Sequence, residues 1–182
     1  MRELRRLYIG TDIVKNSENN GNIIPINKQQ SHYLRRVLRL KKGNEIAIID
    51  GKGRLWISTL ESSENVKLHS SFENPFIQSP IRTPLICLAV VIPKRGFDEL
   101  IRMSCEIGID VIQPLSSGRS NFSSKKSDER IIDIIRESIE LSERLWEPKL
   151  YQTKHIKEWL DSKPINSIFS IANTRDYSLQ DI

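Results

Sequence analysis

A basic segment, residues 31–54, carries the side chains best suited to binding a polyanion. If its first part is a helix that turns by about 100° per residue, Leu34, Val37 and Leu38 share one arc. The opposite arc and the residues after it are cationic: Arg35, Arg36, Arg39, Lys41 and Lys42. A cationic arc opposite an apolar one predicts a helix that packs on one side and binds phosphates on the other. The alternative is that these cations only solvate a surface helix.

A short β unit follows this helix. Gly43 is placed to end the helix as its C-cap, Ile46 to Ile49 has the composition of a strand, and Asp50-Gly51 is typical of a hairpin turn. A cationic helix joined to a hairpin favours a small nucleic-acid-binding module. In that setting Asp50 is expected to be a turn residue and not a catalytic one.

A second pair of cations follows two predicted strands of the later sequence. Lys94 comes directly after an apolar strand, and Arg119 follows the next strand along the chain. Because ligand crevices in open α/β sheets form at the carboxyl ends of the strands, these two side chains are predicted to converge on phosphates or a target nucleotide. Solvation of two exposed loops is the alternative.

The remaining polar residues suggest no further chemistry. His32, His69 and His155 lie in separate segments without the spacing of metal ligands, so no metal site is expected. Glu106 precedes Gly108 at a predicted helix end, where a structural hydrogen bond is its commoner role.

The charge of the chain is concentrated in its first part. Residues 1–75 hold 13 Lys and Arg against 8 Asp and Glu, whereas residues 76–182 hold 15 of each, so the net charge of +5 comes from the first part. This asymmetry predicts a nucleic-acid or anionic partner for one half of the protein. The longest apolar run, Leu85 to Ile92, is too short to cross a bilayer, so no membrane partner is expected. The two cysteines, Cys87 and Cys105, are expected to be small core residues, and a reducing cytoplasm is the simplest location for the protein.

The predicted helices and strands that position these residues divide the chain into two parts. The first part has an α+β fold and the second has an α/β fold. Short strands joined by turns and one helix predict a small β-barrel over residues 1–72, with strands at 7–9, 22–26, 45–49, 55–60 and 65–68. A stretch rich in Ser, Pro and Asn, residues 70–84, is typical of a linker.

The second part, residues 80–182, has the order of a parallel α/β domain. Leu85 to Ile92 is apolar throughout, which predicts a strand buried on both faces. Helical spacing and apolar runs then predict a helix at 97–105, a strand at 109–115, a helix at 127–145 and a strand at 167–172. The order βαβαβ implies a parallel sheet with right-handed crossovers.

Several motifs resemble the RsmE family of 16S ribosomal RNA uracil-N3 methyltransferases. In the second part they are Ile92-Pro93-Lys94, Cys105-Glu106-Ile107-Gly108-Ile109, Ile112-Gln113-Pro114-Leu115, Ser117-Gly118-Arg119-Ser120, Glu129-Arg130 and Glu140-Leu141-Ser142-Glu143-Arg144 before Pro148. In the first part, His32, Val37-Leu38-Arg39-Leu40, Gly43 and Asp50-Gly51 are similar to the family's N-terminal barrel.

The resemblance implies a PUA-like RNA-binding barrel followed by a SPOUT-type methyltransferase domain. It further implies S-adenosyl-L-methionine as cofactor, methylation of uridine N3, 16S rRNA or the small ribosomal subunit as partner, and a homodimer. It assigns no catalytic or cofactor-binding residue with a match in this sequence.

Some family features are replaced or missing. Met103, Gly118 and Leu141 stand where the family usually has lysine, glutamate and glutamine. The family's glycine-rich cofactor loop has no counterpart, since the last glycine is Gly118, and we therefore expect a C-terminally incomplete SPOUT domain that does not measurably bind S-adenosylmethionine. The alternative to a methyltransferase is a truncated, catalytically inactive rRNA-binding protein of the same family.

Overall fold

Two β-sheets, one mixed and one parallel, organise the chain. The computed structural model describes residues 4–117 and 128–162, together with 168 and 170. Arg119 and nearly all of the strand expected at 167–172 therefore lie outside the described residues.

The mixed sheet is curled and has the strand order β1-β3-β4-β5-β2, with β6 paired to β4. Its strands are β1 (Arg6–Tyr8), β2 (Ile23–Pro25), β3 (Glu45–Ile49), β4 (Arg54–Leu60), β5 (Asn65–Leu68) and β6 (Ile77–Gln78). Only the β1–β3 pair is parallel among the pairings described. Five of these strands match the predicted ones closely, because their alternation and turn residues are clear in the sequence. The very short β6 was missed, since it lies within the stretch interpreted as linker.

Strand β3 is buried on both faces, which explains its unbroken apolar run. Ile46 and Ile48 face the core enclosed by the curled sheet, together with Leu34 and Trp56. Ala47 and Ile49 face outward into a second cluster. The predicted hairpin is confirmed, because β3 and β4 are antiparallel and Gly51 has φ +70° in the turn between them.

Two short helical segments accompany this sheet. Helix α1 spans Thr11–Asn16 and continues into a 3₁₀ turn, Ser17–Asn20. Helix α2 spans Lys28–His32 and continues into a π-helical turn, Tyr33–Val37.

The parallel sheet has the order β10-β8-β7, with β9 also paired to β8. Its elements are β7 (Cys87–Val91), α3 (Phe97–Glu106), β8 (Val111–Ser116), α4 (Asp128–Leu141), β9 (Lys149–Leu150), β10 (Lys154–His155) and α5 (Ile156–Asp161). Every described pairing in this sheet is parallel, which confirms the α/β expectation. The third position of the sheet is filled by β9 and β10, which are too short to be visible in a hydropathy pattern.

The expectation that Leu85 to Ile92 is buried on both faces was wrong. Leu85 and Ile86 are 49% and 45% exposed, and within β7 Cys87 and Val91 are also exposed. The reason is the position of β7 at an edge of the described sheet, where helices cover only the face that carries Leu88 and Val90. Cys105, by contrast, is fully buried in α3 as expected.

Helix α4 connects the two sheets. Its Ile131, Ile134 and Ile135 pack in the core of the parallel sheet, while Ile139 joins the outward-facing cluster of β3 and β4. The helix ends at Leu141 and not at residue 145, because Glu143 adopts φ +58° and turns the chain. Leu145 packs against the outward cluster after the helix has ended.

Arg144 fixes the segment after α4 to the end of α3. Its guanidinium donates to the carbonyl oxygens of Cys105 at 3.0 Å and Ile109 at 2.7 Å, and it lies 3.4 Å from Asp110 Oδ1. Gly108, with φ +92°, turns the chain between these acceptors. This geometry gives a structural role to the arginine of the Glu140 to Arg144 motif.

Candidate nucleic-acid interface

The basic segment begins as a well-capped helix. Asn27 accepts from the Gln30 backbone amide at 2.8 Å, and the Gln30 side chain accepts from the Asn27 amide at 2.9 Å. This reciprocal pair is a capping box. Leu34 is completely buried and anchors the helix in the core of the mixed sheet.

The end of this helix differs from the expectation. Arg39 has φ +55°, and the amide of Leu40 donates to the carbonyl of Leu34 at 2.9 Å, so the chain turns at Arg39. Gly43 is therefore not the C-cap; its φ of +88° belongs to a later turn, in which its amide donates to Leu60.

Val37 was expected to face the core but is 59% exposed. The π-helical turn has a wider hydrogen-bond spacing than an α-helix, so residues after Leu34 leave the arc that a rotation of about 100° per residue predicts. Leu38 remains partly buried against the core.

The five cations of this segment that were predicted to bind RNA are all exposed: Arg35, Arg36, Arg39, Lys41 and Lys42. The first four line a groove of about 1110 Å³, which we call the basic groove. Its basic lining consists of Lys28, His32, Arg35, Arg36, Arg39 and Lys41, and Lys42 follows directly on Lys41.

Lys28 and His32 were not among the predicted RNA-binding residues. They precede Arg35 and Arg36 by three to eight positions and so extend the same helical surface toward the N-terminus. The capping box at Asn27 is the sequence signal that places them on this helix. Glu64, an acidic residue, stands on the other wall of the groove.

Across the described ranges, no ion pair engages the cations of the basic groove. Several arginines elsewhere do have carboxylate partners: Arg54 lies 2.6 Å from the buried Asp50, and Arg82 lies 2.6 Å from Asp110. Free guanidinium and ammonium groups clustered along one groove attract phosphates and give salt-dependent binding.

Asp50 has the structural role that the sequence predicted. Its Oδ1 accepts from the Lys52 amide at 2.9 Å, and its Oδ2 accepts from Arg54 Nε at 2.8 Å. The Arg54 guanidinium in turn lies 4.3 Å from the centre of the Phe72 ring. These contacts stabilise the hairpin turn and leave no free carboxylate for catalysis.

The second predicted pair of cations is only half described. Lys94 is exposed in the loop after β7, at the carboxyl end of that strand, whereas Arg119 lies outside the described residues. The same edge carries Lys154, which is exposed and paired in register with Leu115 of β8. Val91 of β7 is opposite Leu115 on the other side, so Val91 and Lys154 are two strand spacings, about 10 Å, apart.

Acidic residues near the ends of α3 do not form a site. Asp98 pairs with Arg130, and Glu106 is exposed. Among residues 4–117 and 128–162, no group of three or more His, Cys, Asp or Glu side chains is arranged to hold a metal ion. No helix in the described part of the chain is long and apolar enough to cross a membrane.

Comparison with protein families identifies both parts of the chain. Residues 80–181, more than half of the sequence, match the RNA methyltransferase domain family. The chain belongs to the RNA methyltransferase family. Residues 26–69 match the RNA methyltransferase PUA domain. This range contains the whole basic segment and extends through β5. Together with the curated relatives described next, these matches confirm the resemblance to the RsmE family.

Curated relatives of this family carry the name ribosomal RNA small subunit methyltransferase E. The protein of Synechocystis sp. is 36% identical over 130 residues, a match that covers 69% of this chain and 41% of the relative. That of Buchnera aphidicola is 28% identical over 148 residues, covering 75% of this chain and 58% of the relative. The matches thus span about half the length of these relatives.

Solved structures share the fold. A putative methyltransferase from Legionella pneumophila, in complex with S-adenosylmethionine, aligns with a TM-score of 0.74 at 16% identity, covering 99% of this chain and 75% of that one. A ribosomal RNA small subunit methyltransferase E from Neisseria gonorrhoeae, also bound to S-adenosylmethionine, aligns with a TM-score of 0.69 at 20% identity, covering 90% and 67%. The fold is that of an RNA methyltransferase with a curled sheet before a parallel α/β sheet.

Proposed function

We propose that this chain binds ribosomal RNA through the basic groove and takes part in methylating N3 of a uridine in 16S rRNA. The observation that carries the proposal is the groove itself, in which six basic side chains line one surface of the segment that matches the PUA domain. The partner is 16S rRNA or the small ribosomal subunit in the cytoplasm, and the methyl donor is S-adenosyl-L-methionine.

In this proposal residues 1–72 form an RNA-binding domain, and residues 80–182 form the domain for methyl transfer. The family matches at 26–69 and 80–181 support this division. Strand β6, Ile77–Gln78, pairs with Arg54 and Leu55 of β4, so the mixed sheet also includes residues that follow position 72. We propose that a homodimer of the second domain is the active form.

Methyl transfer to uracil N3 requires the target uridine to be bound with its N3 atom accessible. S-adenosylmethionine supplies the methyl group, and N3 must lose its proton as the new N–C bond forms. N3 lies on the Watson–Crick edge, so a paired uridine has to be exposed first, and binding should favour single-stranded or structured rRNA over plain duplex. Catalysis then depends mainly on positioning and on stabilising charge at the uracil carbonyl oxygens.

The described residues do not by themselves form a cradle for the cofactor. In the described part of the parallel-sheet region the glycines are Gly96 and Gly108, and Gly108 serves to end α3. Gly96 alone, although its backbone is open on the side where a Cβ would lie, does not make a glycine-rich loop. No step is therefore assigned to a residue through the cofactor.

Lys94 and Arg119 are proposed to hold RNA phosphates or the target nucleotide at the carboxyl edge of the parallel sheet. The exposed position of Lys94 after β7 supports this role, and Lys154 adds a third cation at the same edge. The basic groove would then fix the RNA on the first domain while this edge contacts the nucleotide to be modified.

A second candidate is an rRNA-binding protein without catalytic activity. It is favoured by the lack of a glycine-rich cradle among the described residues. Calorimetry with S-adenosylmethionine separates the two candidates when it is done on the 182-residue chain and on the chain with any downstream reading frame, because cofactor binding by the longer chain supports the methyltransferase. We expect no measurable binding to the 182-residue chain, and tight binding would show that the chain holds the cofactor without the family's glycine-rich loop.

Photocrosslinking tests the proposed RNA contact. Thiouridine-substituted fragments of 16S rRNA, crosslinked to the 182-residue chain, are expected to label peptides between Lys28 and Lys42. Labelling should disappear with excess unlabelled RNA and persist with excess duplex DNA. Crosslinks confined to other parts of the chain would refute the role of the basic groove.

A further inference from the structure

The outward face of the mixed sheet is only partly covered. At one end, Ile139 of α4 and Leu145 pack on Ala47, Ile49 and Leu55. At the other end the face opens into a groove of about 1160 Å³, which we call the outer groove. Its apolar lining includes Leu4, Leu38, Leu40, Ile57, Phe76 and Ile77.

Large apolar side chains are exposed in the outer groove. Val37 is 59% exposed, Phe76 57% and Ile77 40%. Single exposed apolar residues are ordinary, but a contiguous set within one concave surface is typical of a binding site. Phe76 offers an aromatic ring at this site without being needed to fill a core.

The outer groove and the basic groove lie on the two sides of one segment. Arg35, Arg36, Arg39 and Lys41 line the basic groove, Val37 and Leu38 line the outer groove, and Leu40 lines both. Residues that line the two grooves thus alternate along positions 35–41, a stretch that includes the left-handed turn at Arg39. An extended polyanion in the basic groove would therefore pass beside an apolar surface.

Charges at the outer groove indicate which part of a nucleotide would enter it. Arg5 and Arg6 line the groove, and Arg6 is paired with Glu143 at 3.1 Å. Glu45 also lines it, with Oε1 3.9 Å from Nδ1 of His69. Carboxylates repel phosphates but accept hydrogen bonds from base amino and imino groups. The apolar and carboxylate groups suit a base, and Arg5, which has no ion pair among the described residues, can face an adjoining phosphate. The basic side chains of the neighbouring basic groove suit the rest of the backbone.

We propose that the outer groove binds an unstacked nucleobase of single-stranded RNA, with Phe76 as the stacking platform. The inference rests on the proposed function, because it requires RNA to lie in the basic groove. Single-stranded nucleic acids are commonly bound in this way, by a cationic track for the backbone and aromatic side chains for the bases.

A cycle of protein and RNA changes tests the proposal. Affinities of the 182-residue chain for an unstructured oligouridine, intact or with one abasic residue at each position in turn, are measured for the wild type, Phe76→Ala and Ile107→Ala. Ile107 is 74% exposed on the parallel-sheet side and lines neither groove, so it is the matched control. Circular dichroism checks that each variant is folded.

We expect Phe76→Ala to weaken binding roughly 5- to 150-fold, the effect of removing one stacked base on an aromatic platform. Base removal at one position should weaken the wild type similarly and leave Phe76→Ala unchanged, while Ile107→Ala behaves as wild type. If Phe76→Ala and base removal act independently, or Phe76→Ala binds like wild type, the proposal is overturned.

Two further outcomes separate this inference from the proposed function. RNA binding that depends on Arg35 and Arg36 but not on Phe76 would overturn the inference and leave the proposed function intact. Absence of any RNA binding by the wild type would overturn both. If sedimentation shows that Phe76→Ala turns a dimer into a monomer without changing RNA affinity, a second copy covers the groove and the inference is wrong.

Discussion

The backbone amide of Tyr8 donates a 2.6 Å hydrogen bond to Oε1 of Glu140 and thereby joins β1 of the mixed sheet to α4 of the α/β part. Arg6 contacts Glu143 in the same junction, and the Tyr8 hydroxyl lies 3.2 Å from Glu147. The Arg136 guanidinium stands 4.7 Å from the centre of the Tyr8 ring. The relative position of the two sheets therefore depends on a small polar cluster as well as on Ile139.

The junction is expected to weaken as pH rises. Burial raises the pKa of Glu140 from its ordinary 4.5 to about 7, the Tyr8 amide lowers it in part, and the charge of Glu137 raises it further. Since the folded-state pKa lies above the unfolded one, the stability contributed by neutral Glu140 is full below pH 4.5 and is lost as pH rises through about 7.

Glu140→Gln should remove this pH dependence, because glutamine keeps the acceptor oxygen and does not ionise. Thermal unfolding followed from about pH 5 to about pH 8 should show the wild type losing on the order of 2 kcal/mol that the variant retains. Asp133→Asn, a change at an exposed carboxylate of the same helix that does not contribute to the Glu140 pKa shift, is the control. Parallel pH profiles for wild type and Glu140→Gln would contradict the role of Glu140.

Arg39 should show a conflict between stability and binding. Its φ of +55° costs a non-glycine residue about 1–2 kcal/mol, so Arg39→Gly is expected to stabilise the fold by about 0.5–1 kcal/mol while weakening RNA binding. Arg36→Gly, a change inside the helical turn, should destabilise the fold by about 1 kcal/mol. Chemical denaturation measures both. If the Arg39→Gly variant has a lower free energy of unfolding than the wild type, the contacts of the Arg39 side chain contribute more to stability than its backbone conformation costs.

Arg144 should matter for folding more than for RNA binding. Lysine cannot reproduce the two hydrogen bonds to Cys105 and Ile109, so Arg144→Lys is expected to cost about 2 kcal/mol in the free energy of unfolding. Arg130→Lys, at an exposed ion pair with Asp98, should cost less than about 0.5 kcal/mol. Equal effects of the two changes on urea unfolding would argue against the clamp at the end of α3.

The carboxyl edge of the parallel sheet should contribute to RNA affinity independently of the basic groove. Lys94→Ala with Lys154→Ala removes two exposed cations there and is expected to lower affinity and the salt dependence of binding, as is Arg119→Ala. Electrophoretic mobility shifts at several salt concentrations measure the effect. Unchanged affinity and salt dependence in folded variants would show that this edge does not contact RNA.

The sequence predicted those elements whose local pattern and packing agree. Strand Asn65–Leu68 and helix Phe97–Glu106 follow directly from alternation and helical spacing. The π turn at Tyr33–Val37 was not predictable, because it forms where Leu34 is fixed in the core and the chain must turn at Arg39. Strands of two residues, such as β6 and β9, depend on partners distant in sequence and leave no periodic signal.

The candidate site was partly predictable for a similar reason. Exposed cations at helical spacing identify one surface, so Arg35 and Arg36 could be named from the sequence. Lys28 and Lys154 could not, because they reach their positions through a helix start and a strand pairing that only the fold reveals.

The salt dependence of RNA binding tests the account most directly. The dissociation constant for a 16S rRNA fragment is measured from about 50 to about 200 mM salt, a range over which phosphate contacts have a large effect. Two double variants with equal change in charge are compared: Arg35→Gln with Arg36→Gln in the basic groove, and Lys15→Gln with Lys67→Gln, which are exposed and line neither groove.

We predict that the groove variant lowers the slope of log affinity against log salt by about 1.4, the contribution of two contacts to a single strand. The Lys15 and Lys67 variant should leave the slope within error of the wild type. Equal slopes for the wild type and the groove variant, or equal losses in both variants, would contradict the assignment of the basic groove as the RNA-binding surface.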